Sequence, residues 1–352
     1  LLLKPNFSFV DGFPDGTDSK EGFSVILEKF PPGDLAPTKI FIQSKSDSLI
    51  DEFFDIEILI EEILNYPGVV RISGPTRPNG NPPFLTMDEI KNIASNPNNP
   101  MINQIIGPAM RFLSSDSSMY YLDVVWDSDP YSNETISKIG DFRDFVKNSS
   151  SEIGWDKKDV IIGGETAIRY DSKEATIHDL TVVGPIIILV IWIVLILLLR
   201  SLIAPTYLIF SVLLSFGSAF GLSVLFFQYI LGHSGVAFDN SMWLFVFLVA
   251  LGADYNVYIM SRIKEEVKTK GIIMGTKEAV TKTGGVITSA GIILAGTFLV
   301  LFTLPLQAIA QLGFGVGLGV LLDTFIVRGL LVPSMVVVVN RWSWWPNPMF
   351  KE

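Results

Sequence analysis

The sequence predicts an α+β domain of split βαβ, ferredoxin-like build, followed by an all-α bundle of five transmembrane helices. Three observations carry that expectation. The composition changes near Leu180: residues 1–177 hold a net charge of −12 and residues 178–352 one of +2. Five apolar runs fill the second part at lengths that can cross a bilayer. In the first part, alternating and helix-period patterns recur twice as β-α-β. The expected boundaries are an outside domain over residues 1–177, a transmembrane domain over 178–341 and a short tail over 342–352.

Each element has its own signal. The chain opens on Leu1-Leu2-Leu3-Lys4, which reads as the tail of a preceding apolar helix or signal segment. A turn-rich lead follows. A helix is expected over residues 19–30, stopped by Pro31-Pro32-Gly33. Residues 38–43 alternate as a strand. Residues 47–66 have helical period and end at Pro67-Gly68. Residues 69–73 are a second strand. Residues 74–100 are rich in Pro, Asn and Gly and read as an irregular insertion. A helix is expected over residues 101–113, then a strand over 119–126. A helix opened by Ser132 or Asn133 follows over 135–147, and a strand over 159–162.

The apolar spans are expected at residues 182–199, 204–231, 242–260, 285–304 and 308–339. Arg200, Arg262, Lys264, Lys268, Lys270, Lys277, Lys282 and Arg341 fall in alternate connections. The opposite connections hold His233, Asp239 and Gln307 and no Lys or Arg. By the positive-inside rule the first domain lies outside the cytoplasm, and residues 262–284 form a cytoplasmic basic segment. That segment is suited to anionic lipid. The Lys, Asn and Ile bias fits the plasma membrane of a Gram-positive bacterium. The Asn6, Asn133 and Asn148 sequons are chance tripeptides unless the source is eukaryotic.

The chemistry concentrates on few residues. Asp254 sits about 18 Å into its span at 1.5 Å per residue. An ionisable side chain at that depth is costly and marks a functional site by default. It reads as a proton carrier in an ion-driven transporter, against the plainer reading of a helix-to-helix bond. Tyr255 is rotated about 100° from it. Tyr255 is expected to meet a carboxylate on a facing helix, or simply to pack. Asp323 and Arg328 lie in the last span, and in an α-helix a spacing of five turns them about 140° apart. Each is therefore expected to reach another helix or a wet cavity, for coupling, against the plainer reading of a structural ion pair or interface anchor. Gly313, Gly315, Gly317 and Gly319 loosen or narrow that helix, and Pro333 kinks it. Gly285, Ser289 and Gly296, and likewise Thr288, Gly291 and Ala295, offer small-residue faces for close packing.

The chain has no cysteine and two histidines, His178 and His233, which excludes disulfides, thiol chemistry and a His-rich zinc site. No cofactor is expected. No phosphate-binding G-x-x-x-x-G-K-[ST], nucleophile elbow or H-E-x-x-H is present. The expectation is a non-enzyme. The acidic first part argues against nucleic acid.

Four stretches carry a resemblance: FPPGDLAP (30–37), GADYNVYIMSRIKEE (252–266), TGGVITSAGIILAGTF (283–298) and GVLLDTFIVRGLLVPSM (319–335) followed by WWP (344–346). Over nearly its whole length the chain resembles one six-helix repeat of the resistance-nodulation-division superfamily, most closely its MmpL branch. The resemblance implies a porter-type outside domain and the C-terminal repeat without its first helix. It implies proton-driven export of lipids or lipophilic compounds, with the absent N-terminal repeat or a second copy as partner. Asp254 and Tyr255 match the family's proton-relay pair, and Asp323 and Arg328 a charged pair of the last helix. The competing class is a sterol-sensing-type receptor or a lipid-binding envelope scaffold without transport.

The orientation is testable because the chain lacks cysteine. A cysteine introduced as Lys270→Cys stays unlabelled by a membrane-impermeant thiol reagent in intact cells and becomes labelled after permeabilisation. Labelling before permeabilisation reverses the assignment.

Overall fold

The computed structural model describes residues 5–6, 12–13, 16–45, 49–83, 85–94, 107–157, 159–233 and 235–347. The chain divides into two compact units, one built on residues 15–172 and the other on residues 173–352 with strand β1 (Pro5–Asn6).

The first unit is a four-stranded antiparallel sheet with order β3-β4-β2-β5. Its strands are β2 (Thr38–Gln43), β3 (Val69–Ser73), β4 (Met119–Trp126) and β5 (Val160–Gly163). β4 lies between the parallel strands β2 and β3, and β2 lies between β4 and β5. This is the split βαβ arrangement taken twice. Alternation fixes the register: Ile40 faces Leu122 on one side and Ile162 on the other, and all three are buried. Helix α1 (Asp18–Lys29) buries nothing. Helix α2 (Leu49–Leu64) brings Ile56, Leu59, Ile60 and Ile63 onto the sheet.

The irregular insertion expected over 74–100 contains a helix, α3 (Met87–Ala94). Its start is a reciprocal capping box. The Thr86 amide donates to Glu89 Oε2 at 2.8 Å, and the Glu89 amide to Thr86 Oγ1 at 3.3 Å. Of the helix expected over 101–113, residues 101–106 lie outside the described residues. Residues 107–110 are helical, and Leu113 bridges to Tyr120. Helix α4 (Asn133–Glu152) opens at Ser132, whose side chain accepts from the Thr135 amide at 3.2 Å. It lays Ile139, Phe142 and Val146 against the same core. Phe142 meets Trp126 edge-on at a centroid distance of 5.0 Å, and the Trp126 indole donates to Thr38 Oγ1 at 2.9 Å.

Among the described residues five helical runs are long and apolar enough to cross a membrane: Glu165–Leu199, which starts in the first unit, and Ile203–Ile230, Asn240–Lys270, Ile272–Leu301 and Gln307–Trp344 in the second. The basic segment 262–284 is not a separate connection. The third span stays helical to Lys270 and the fourth starts at Ile272. The physical reason is ion pairing one turn apart: Arg262 and Lys270 each meet Glu266, and Lys282 meets Glu278. Only Gly271, at φ +71, breaks the run.

Hydrogen bonds fix which connections share an end. Lys264 Nζ donates to Leu199 O at 2.6 Å, and Ser201 Oγ to Ser343 O at 2.6 Å. The Leu202 amide donates to Trp345 O at 2.9 Å. The basic connections therefore meet at one end. At the other, β1 pairs in parallel with β6 (Val236–Ala237), and Gln311 bonds Gly235 O and the Ala237 amide.

The glycine run of the fifth span narrows it on two faces. Residues four apart share a face, whereas residues two apart oppose one another. A side chain at Gly313 or Gly317 would strike Leu301 or Leu299 of the fourth span. One at Gly315 or Gly319 would strike Leu244 or Leu248 of the third span. The fifth span is thus wedged between its neighbours at backbone distance. Of the small-residue faces on the fourth span, Gly291 and Ala295 are buried, with Gly291 against Thr324. Gly285, Ser289 and Gly296 face away from the bundle, which corrects the expectation for that set.

The first unit should fold when expressed alone. In it, Phe142→Ala should cost about 3–5 kcal/mol in urea unfolding, the range for deleting a buried aromatic. An effect below about 1 kcal/mol would mean the ring is not packed as described.

Candidate functional site

The fifth span changes its helical register where its charges lie. It is α-helical over Gln307–Leu322, a π-helix over Asp323–Leu331 and α-helical again over Val332–Val339. Pro333 supplies a local cause: it has no N–H to give, and its ring would press on the carbonyl four residues back. A wider turn relieves that clash. In a π-helix the ladder runs from i to i+5, so residues five apart lie on one face.

This overturns the α-helical spacing argument that turned Asp323 and Arg328 apart, and agrees with the plainer reading of a structural ion pair. Arg328 Nη2 donates to Asp323 Oδ2 in a direct ion pair. Both are buried, Arg328 at 2% and Asp323 at 5% exposure. The guanidinium lies over the Tyr255 ring, 3.7 Å from its centroid, a cation–π contact strengthened by burial of the cation. Within this chain the Tyr255 ring thus meets a cation of the fifth span.

The pair is incompletely satisfied. Asp323 Oδ1, Arg328 Nε and Nη1 and the neighbouring Thr324 Oγ1 have no hydrogen-bond partner among the described residues. Asn256 is fully buried, and neither atom of its amide has a partner. Each such group costs about 1–3 kcal/mol. A core that keeps several has a reason other than stability. Asn256 and Thr324 escaped the sequence reading, although a carboxamide inside an apolar span was a visible signal.

Asp254 is placed differently. It sits near the middle of the helix Asn240–Lys270, is exposed on the outside of the bundle, and makes no hydrogen bond or ion pair among the described residues. Tyr255 is half-buried and forms the boundary between this outward carboxylate and the inward cation. The structure thus joins Tyr255, Asp323 and Arg328, and leaves Asp254 on the outer face beside them.

A multi-pass helical bundle with an attached α+β domain and intramembrane charges is the build of a membrane transporter of resistance-nodulation-division type. The chain belongs to the MMPL family, which it matches over residues 12–351. It is 36% identical to the apo-petrobactin exporter of Bacillus anthracis over 350 residues, which is 99% of this chain and 42% of that protein. It is 35% identical to a putative membrane protein of Streptomyces coelicolor over 346 residues, 98% of this chain and 36% of the relative. Against the probable transport protein MmpL9 of Mycobacterium tuberculosis it is 36% identical over 236 residues, 67% of this chain and 24% of the relative. The chain thus spans less than half the length of these relatives.

The buried pair can be tested by a double-mutant cycle. Arg328→Gln strands the Asp323 charge and should lower stability by about 3–5 kcal/mol. Adding Asp323→Asn should recover most of that loss, because no charge is then buried. Reversible unfolding in detergent micelles reads both values, and additive losses would contradict the pairing.

Proposed function

We propose that this chain is one repeat, the C-terminal one, of a proton-motive-force-driven exporter of lipids or lipophilic compounds. The observation that carries the proposal is the outward position of Asp254 at mid-span. A carboxylate facing hydrocarbon at that depth is costly, so this face calls for a polar partner surface. The partner is the N-terminal repeat of a longer protein, or a second copy of this chain. In either case the buried seam between two repeats holds the titrating group. In this reading residues 1–177 lie outside the cytoplasm and residues 178–341 form the membrane domain.

The relay follows from the residues. Asp254 takes up a proton from the outer side and is neutral. It then loses the proton to the inner side and is an anion. The neutral form tolerates a dry seam and the anion does not, so each state favours a different packing of the two repeats. Tyr255 sits between Asp254 and the fixed cation Arg328 and offers a hydroxyl to the same seam. Asp323 holds Arg328 in place. The family membership and the transport and export names of the relatives favour export over sensing. A lipophilic substrate is the part of the proposal that rests on the family alone.

The test uses the full-length parent in cells or proteoliposomes with an imposed proton gradient. Asp254→Asn keeps size and hydrogen bonding but cannot titrate. It should insert normally, since an amide is cheaper to bury than a charge, and should abolish gradient-dependent export. Tyr255→Phe keeps the ring under Arg328 and removes one hydrogen bond of about 1 kcal/mol, so export should fall about threefold to tenfold. Parental export by the Asn variant would make Asp254 structural and end the relay reading.

A further inference from the structure

At the basic end of the bundle a cavity of about 600 Å³ opens between the corner joining the third and fourth spans and the C-terminal turn Asn340–Trp344. Lys268, Lys270 and Arg341 line it, together with Ile272, Met274 and Trp344. We propose that this cavity seats the phosphate headgroup of an anionic phospholipid. The proposal depends on the five spans crossing a bilayer and not on the relay.

The charge balance favours an anion. Among the described residues the carboxylates at this end are already engaged. Glu265 bonds Arg262, Glu266 meets Arg262, Lys270 and Lys282, and Glu278 meets Lys270 and Lys282. Lys268 and Arg341 have no carboxylate partner among the described residues, and both are exposed. Two unneutralised cations and one shared cation thus face one concavity, where they repel one another until an anion enters. The first turn of the fourth span, capped by no side chain at Gly271, adds its amide dipoles to the same field.

The cavity wall separates a lipid from a free phosphate. Its floor is the buried indole of Trp344, and its lip carries Met274, exposed at 59%. An apolar lip beside cations suits a molecule with a charged head and hydrocarbon tails. A free phosphate gains nothing from it. Pockets of basic residues between spans at the membrane surface recognise anionic lipid heads in this way. The sequence showed only a basic stretch; the structure adds the cavity, the partnership with Arg341 from the far end of the chain, and the two cations left unpaired.

The full-length protein is reconstituted in phosphatidylcholine vesicles containing brominated phosphatidylglycerol or, at the same proportion, brominated phosphatidylcholine. Trp344 in the cavity, with its neighbours Trp342 and Trp345, reports bound lipid by fluorescence quenching. Quenching should be stronger with the brominated anionic lipid. The preference should fall about fivefold for each cation removed by Lys268→Gln or Arg341→Gln, since each is worth about 1 kcal/mol at a membrane surface. The charge-keeping pair Lys268→Arg and Arg341→Lys should retain it, which separates loss of charge from loss of fold. Lys157→Gln in the first unit should leave it unchanged. Equal quenching by both lipids, or an unaltered preference in the Gln variants, would overturn the proposal. Inorganic phosphate that abolished the quenching difference would show a free-phosphate site and would overturn it too.

Discussion

The membrane unit depends on the accommodation of the Arg328 charge. A guanidinium at 2% exposure cannot be held in a low-dielectric core without compensation. Compensation comes from two directions, the Asp323 carboxylate on its own helix and the Tyr255 ring on the third span. In an ordinary α-helix Asp323 and Arg328 would be turned about 140° apart. The π register turns a spacing of five residues from a mismatch into a pairing. Pro333 and the widened turn are therefore prerequisites of the electrostatics.

The glycine run serves the same end. Gly313, Gly315, Gly317 and Gly319 let the fifth span approach its neighbours on two faces, and Gly291 on the fourth span makes room for Thr324. Without that closeness the third span would stand off, and Tyr255 could not lie 3.7 Å under Arg328. A wedge of small residues thus sets the distance at which one charged residue is stabilised. Close packing here positions polar groups as much as it stabilises hydrocarbon contacts.

The sequence exposed what depends on period and composition. Strand alternation in Thr38–Gln43 and Met119–Trp126 gave the sheet, and the apolar runs gave the spans. It hid what depends on three-dimensional register. A π-helix has no period signature in nine residues, so Asp323 and Arg328 were read as apart. Basic residues at 262–284 masked helix continuity, because charge marks a membrane boundary and says nothing about helix ends. Thr86 and Glu89 carried a capping-box signature that the surrounding Pro and Asn obscured. The outward face of Asp254 and the unpaired amide of Asn256 belong to packing, which one sequence cannot orient.

The division of charge between Asp254 and Arg328 has a consequence for coupling. The position of Arg328 is fixed by Asp323 and Tyr255. Its guanidinium is the positive end of a buried, overall neutral pair just inside the third span, while Asp254 stands just outside. Under the proposed relay only Asp254 changes its charge. In that reading an ionised Asp254 meets the guanidinium end of the Arg328–Asp323 pair across the Tyr255 ring, an attraction of a charge to a dipole. When it is neutral, that attraction is gone and the face is free to pack against hydrocarbon or a second repeat. Under the proposed relay a fixed ion pair and one switchable charge, separated by an aromatic ring, give the seam two states of different preferred packing. A pair that titrated together would cancel its own signal. In the proposed relay the deep burial of Arg328 keeps its pair fixed, so that a single exposed carboxylate is the group that switches.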